Sequence, residues 1–222
     1  MQNPPPPRPT WQIGLLVLLG LGGVLAGALY ARHRLAEAER AGAVPRTQAA
    51  AVYEHARPLP AFALTDDDGH PADGGVFRGR WSLLFFGYTH CPDACPATLA
   101  ELAEVDRKLA DLPAALRPQV WLLSVDPKRD TVEALHTYVR FFSPGFRALT
   151  GTPEAVQALT LALGIPVVFR NPTEADYVVD HSAAILLVNP AGELTAVFPA
   201  PHRVAVLSAD YRAIVTAPAR TP

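Results

Sequence analysis

The 222-residue chain is predicted to be an α/β protein with a central mixed sheet flanked by helices. Three observations predict this class. Residues 82–86 (SLLFF) and 119–125 (QVWLLSV) are apolar without alternation, as strands buried on both faces are. Between them, residues 96–112 repeat Leu99, Leu102, Val105, Leu109 and Leu112 at helical spacing. Later, residues 183–188 and 193–198 form two strand-like runs around Asn189-Pro190-Ala191-Gly192, a turn signal.

Taken in order, residues 1–12 are a Pro-rich tail, where consecutive prolines exclude helix. Residues 13–30 (IGLLVLLGLGGVLAGALY) carry no charge. At about 1.5 Å per residue this run spans roughly 27 Å, just enough for a hydrocarbon core. Trp11 and Tyr30 flank it as interfacial anchors. The rival is a signal peptide cleaved near Ala26-Gly27-Ala28, but the run exceeds the usual signal core of ~7–15 residues. A single N-terminal transmembrane helix is expected. Residues 31–58 read as linker and residues 59–217 as the folded domain.

Within that domain the strand at 82–86 leads into the helix at 96–112, then the strand at 119–125. A helix follows at 131–142, where Asp130 with Glu133 resembles a capping box. Thr152 as N-cap and Pro153 in the first turn open another helix, ending near Gly164. The hairpin at 183–198 and a helix at 202–215 complete the chain. A right-handed parallel crossover followed by an antiparallel hairpin and a helix is the thioredoxin arrangement.

Half of the residues are hydrophobic, so a core forms without staples, and two cysteines cannot build a disulfide framework. A net charge of −2 and the absence of a basic helix give no basis for nucleic-acid binding. Both cysteines lie in FFGYTHCPDACP (85–96), just past the end of the first strand. Ligand sites in open α/β sheets favour that edge. The helix N-terminus there offers free N–H groups and positive potential, which favour thiolate. With four-residue spacing, Cys91 and Cys95 converge on one point.

The hairpin strand beginning at Ala183 runs antiparallel to the first strand, so its start lies beside that strand's end. His181 immediately precedes it and is expected beside the cysteines. Asp126, at the end of the second strand, reaches the same edge. Two thiolates and an imidazole suit Cu(I) in a three-coordinate site. Structural zinc normally takes four ligands. Asp126 or Asp180 is expected to orient His181 from behind. The competing readings are a plain disulfide, a thiol–disulfide redox pair, and His90 as the nitrogen ligand, the last strained by its adjacency to Cys91.

Five segments resemble the Sco/SenC family of copper chaperones for cytochrome oxidase: FALTDDDG (62–69), GYTHCPDACP (87–96), SVDPKRDT (124–131), LTGTPE (149–154) and DYVVDHSAAILLVNPAGEL (176–194). Together they cover roughly residues 59–215. The resemblance implies a thioredoxin-like domain tethered to a membrane, with copper bound by Cys91, Cys95 and His181. It implies delivery of copper, as Cu(I) and also Cu(II), to the CuA centre of cytochrome c oxidase subunit II. The alternative it carries is a thiol–disulfide oxidoreductase that keeps the CuA cysteines reduced. It also places the domain in the periplasm of a bacterium, single-pass in the inner membrane. Arg32, Arg34, Arg40 and Arg46 after the apolar run point the other way.

Overall fold

The computed structural model describes residues 19–34, 44–171, 173 and 176–218. The chain divides into two compact units, and residues 44–217 form the larger. In the smaller, residues 19–34 form a helix, α1, with Leu19, Leu21, Val24, Leu25 and Leu29 exposed. Residues 13–18 of the expected span, like the tail at 1–12 and linker residues 35–43, lie outside the described residues. Among the described residues no helix is long and apolar enough to cross a membrane.

The larger unit is built on an eight-stranded mixed sheet. Its centre is β4 (Ser82–Gly87), with every residue buried, paired in parallel with β5 (Gln119–Ser124). Strand β6 (Arg147–Thr150) extends the parallel part beyond β5. On the other side β9 (Ile185–Val188) lies antiparallel to β4, and β10 (Glu193–Phe198) returns beside it. The expected turn is present: the Asn189 side chain accepts from the N–H groups of Ala191 and Glu193. Gly192 adopts φ +85°, a conformation that a Cβ would strain.

Helix α2 (Ala94–Lys108) starts two residues before the expected helix, which puts Cys95 in its first turn. Its predicted stripe is buried in full, from Leu99 to Leu112. Each such leucine contributes ~2 kcal/mol by leaving water. Helix α3 (Val132–Phe142) packs on β6, α4 (Pro153–Ala162) follows, and α5 (Val204–Val215) packs on α2. Thr152 caps α4 as expected, accepting from the Ala155 N–H. The cap of α3 is Thr131 rather than Asp130. Asp130 turns inward instead, because buried donors claim its carboxylate.

Five further strands depart from the expected outline. Strand β1 (Ala51–Pro58) lies in the stretch read as linker and pairs antiparallel with β10 at the sheet edge. The Asp210 carboxylate on α5 holds the N–H groups of Gln48, Ala49 and Ala50 at 2.7–2.9 Å, fixing the entry to β1. Short strands β2 (Leu64–Asp66) and β3 (Pro71–Ala72) extend the opposite edge beyond β6. A separate hairpin, β7 (Val167–Arg170) with β8 (Val178–His181), stands apart from the main sheet.

Candidate metal centre

The antiparallel register places Ile185, the first residue of β9, opposite Phe85 of β4. The chain leading into β9 therefore crosses the rim where β4 ends and α2 begins. His181 closes β8 at that rim, and its Nε2 lies 3.5 Å from Cys95 Sγ across 86 residues of sequence. The ring of His181 stands edge-on to Phe85 and Tyr88, with centroids 6.3 and 6.1 Å away.

Backbone chemistry sets the imidazole's tautomer. Nδ1 is 2.9 Å from the carbonyl oxygen of Ser182, which can only accept, so Nδ1 carries the proton. Nε2 then presents its lone pair to Cys95. Burial pushes the His181 pKa down, against the Ser182 carbonyl and the charge of Asp180. The ring is held neutral, the form that binds metals.

Cys95 is fully buried, and burial with the adjacent Cys91 sulfur pushes its thiol pKa up. The helix terminus presents its N–H to the other sulfur. The Cys95 N–H donates to Cys91 Sγ at 3.3 Å, while Asp93 at the N-cap position makes no side-chain cap bond. Cys91 thus supplies the acceptor a capping side chain would provide. It is half-buried, and both cysteines are free thiols. Gly87 makes room for this pair: a Cβ there would lie 3.1 Å from Cys95 Sγ, Leu122 Cδ1 and Phe85 Cε1.

Cys91, Cys95 and His181 do not have all their donor atoms within 4.8 Å of one another; among the described residues only two acidic groups around Asp68 meet that spacing. Since Cys95 is close to His181 and adjacent to Cys91, the long separation is the one between Cys91 and His181. In the acidic groups Arg140 and Arg147 already neutralise Asp66, Asp67 and Asp68.

Neither aspartate expected behind His181 touches it. Asp180 is half-exposed and pairs with Arg170. Asp126 is fully buried, accepting from Arg129 Nε and from the Tyr177 hydroxyl, each at 2.5 Å. The ring is oriented by the Ser182 carbonyl, a backbone group that residue types do not reveal. His90 is exposed, and its Nδ1 is bonded to Thr89 Oγ1.

Asp130, read as a helix cap, is the anchor of the cysteine loop. Its carboxylate accepts from the Thr89 N–H, from Thr89 Oγ1 at 2.6 Å and from Ser124 Oγ at 2.6 Å. Burial raises its pKa, although these donors oppose the shift. Arg129 also lies over the Tyr177 ring at 3.6 Å and near the Tyr88 ring at 5.6 Å. The loop that starts at Tyr88 is therefore fastened to the end of β5 by one carboxylate and one guanidinium.

A model of the SCO1/SenC family matches residues 51–216. The chain belongs to the SCO1/SenC family. A Stutzerimonas stutzeri protein whose name includes the words copper-binding protein is 38% identical over 191 residues, covering 85% of this chain and 88% of its own. The mitochondrial SCO2 homolog of Bos taurus is 38% identical over 191 residues, covering 86% and 70%. Among solved structures, Arabidopsis thaliana ScoI with copper bound superposes at TM-score 0.66 with 32% identity, covering 70% of this chain and 97% of that one. The SCO1/SenC match begins at the first residue of β1, in agreement with that strand being part of the domain.

Proposed function

We propose that this chain is a membrane-anchored copper chaperone that holds Cu(I) on Cys91, Cys95 and His181. It delivers the ion to the CuA centre of cytochrome c oxidase subunit II. The observation that carries the reading is the 3.5 Å approach of a neutral imidazole nitrogen to a buried sulfur, with a second sulfur four residues away. Two soft sulfurs and one borderline nitrogen are a donor set suited to Cu(I). Binding displaces the thiol protons and draws Cys91 and His181 together onto one ion beside Cys95. A three-coordinate ion with one half-exposed sulfur leaves room for an incoming thiolate of the acceptor. The copper in the name of the Stutzerimonas protein and in the Arabidopsis structure supports this reading. The uncharged run at 13–30 supports the anchor, with the domain in the periplasm of a bacterium.

The test is the metal content of the full-length chain together with a competition titration of His181→Ala against a chromogenic Cu(I) chelator. One copper per chain and an affinity loss beyond the ~10–100-fold typical of outer-shell changes are expected. Unchanged affinity defeats the ligand assignment.

The exposure difference between the two free thiols favours a second activity of the same pair. Cys91, as thiolate, attacks a disulfide of the CuA site; that S–S bond breaks and one target thiol leaves. Cys95 then loses its proton and attacks the mixed disulfide, releasing the second target thiol and leaving a Cys91–Cys95 disulfide. Two electrons pass to the target. Turnover of an oxidised CuA-domain peptide by metal-free protein identifies this role; strict dependence on copper excludes it.

A further inference from the structure

A cavity of about 340 Å³ adjoins the candidate metal centre and takes no part in the chemistry above. It lies among the loop after β5, helix α4 and the β7–β8 hairpin. Val125, Val156, Val167, Phe169 and the ring of Tyr177 make its wall apolar. Among the described residues Lys128 is the only charged one in the lining, and no carboxylate among them pairs with it. Asp126 and Asp130, the acidic residues nearest to it in sequence, are occupied by Arg129 and Tyr177 and by Thr89 and Ser124.

The hairpin connects this cavity to the metal centre. Val167, in the wall, is the direct strand partner of His181. Phe169 is in ring contact with Tyr177 at 5.9 Å, and Arg129 lies over the same tyrosine. Whatever fills the cavity therefore sits against the strand pair that carries the imidazole. Its volume is at the small end for ligand sites, of the order that one large side chain fills. Phe169 and the neighbouring Val168 are 40% and 56% exposed, so the apolar surface continues outside the cavity. A desolvated pocket beside such a surface is where an interface places its anchoring residue.

We propose that this cavity is a docking socket for the protein that receives the copper. It takes one large apolar side chain from an exposed segment of that partner, with an adjacent carboxylate held by Lys128. The assignment rests on the chaperone reading for the partner's identity. The chemistry of recognition, an apolar anchor next to an acidic residue, follows from the lining itself. A lone cation at the edge of an apolar pocket selects the charge of its neighbour and suppresses the opposite one.

The test uses the methyl-labelled, reduced, metal-free full-length chain titrated with acetyl-Gly-Phe-Glu-Gly-amide, the same peptide with Lys for Glu, and 3-phenylpropionate. The expected result is saturable shifts at Val125, Val156 and Val167 with the Phe-Glu peptide, at least fivefold tighter than with Phe-Lys. Lys128→Glu is expected to invert that preference. Gln157→Trp, at an exposed position of the rim, is expected to weaken both peptides at least tenfold. No saturable shifts, equal binding of the two peptides, or a preference unmoved by Lys128→Glu overturns the socket. Binding of 3-phenylpropionate as tight as that of the Phe-Glu peptide also overturns it, in favour of a small-molecule site. Copper is absent throughout, so these outcomes are independent of the His181→Ala titration on which the chaperone reading stands.

Discussion

Gly87 ends β4 without a side chain, and the space its Cβ would occupy is held by the sulfur of Cys95, 3.1 Å away. Leu122 and Phe85 close the same space at the same distance. All three are fully buried, so none can give way into solvent. Gly87→Ala is therefore expected to destabilise the domain by about 1–3 kcal/mol, the usual cost of overpacking. Urea denaturation of the reduced protein measures it. The same variant is expected to bind Cu(I) more weakly, since the displaced atom is a proposed ligand.

Asp130 answers for the loop on the other side of the sulfurs. Asp130→Ala leaves the Thr89 N–H, the Thr89 hydroxyl and the Ser124 hydroxyl without their acceptor. At ~1–3 kcal/mol for a buried donor left unpaired, a loss of about 3 kcal/mol in denaturant unfolding is expected. Since Thr89 is two residues from Cys91, Cu(I) affinity is expected to fall along with stability. Full retention of both would show that the loop is held by other means.

The depressed pKa of His181 sets a direction for the metal-free protein. Between the lowered folded pKa and the unfolded value near 6.5, the unfolded chain binds a proton that the native ring refuses. This contribution to stability is therefore complete above the unfolded value and declines as pH falls through that window. In His181→Gln the decline disappears. Urea midpoints at pH 7.5 and pH 5.5 for both proteins compare the two slopes, and parallel slopes would contradict the assignment.

Asp67 produces an acid-side dependence with a separate origin. Burial raises its pKa, but Arg147, the Ala148 N–H and Arg140 outweigh burial and leave it below the ordinary carboxylate value. Its stabilisation is present above the unfolded pKa near 3.8 and is lost as pH falls through the lower folded value. Asp67→Asn is expected to cost about 3 kcal/mol at neutral pH, as breaking a buried pair does, and to flatten the acid limb of thermal unfolding. Copper affinity is expected to be unchanged, because this cluster is at the β2–β6 edge.

The elements legible in the sequence are those whose side chains report their surroundings. Strands β4, β5, β9 and β10 and the stripe of α2 announce themselves by apolar runs of the right period. Strand β1 does not: AVYEHARP has no buried residue, and its place at an edge is secured by backbone pairing and by Asp210. Strand β6 has only Ala148 and Leu149 as apolar residues, and β7 has three exposed residues among its four, so neither has a readable period. At the rim, strand direction was enough to bring His181 to Cys95. What orients the ring was not legible, because its partner is the Ser182 carbonyl, and any residue type at that position would offer the same atom. Asp130 was misread for a related reason. Its spacing to Glu133 fits a cap, but Thr131 provides the cap, and the long-range bonds to Thr89 leave no local signature.

The grip of Asp210 on Gln48, Ala49 and Ala50 has a mechanical meaning. Tension arriving through the chain ahead of residue 44 is borne first by that carboxylate and by the β1–β10 seam. Two strands, β10 and β9, lie between this load-bearing margin and β4. A pull on the chain ahead of residue 44 is thus taken up at the sheet's edge, two strands away from the sulfurs at the end of β4.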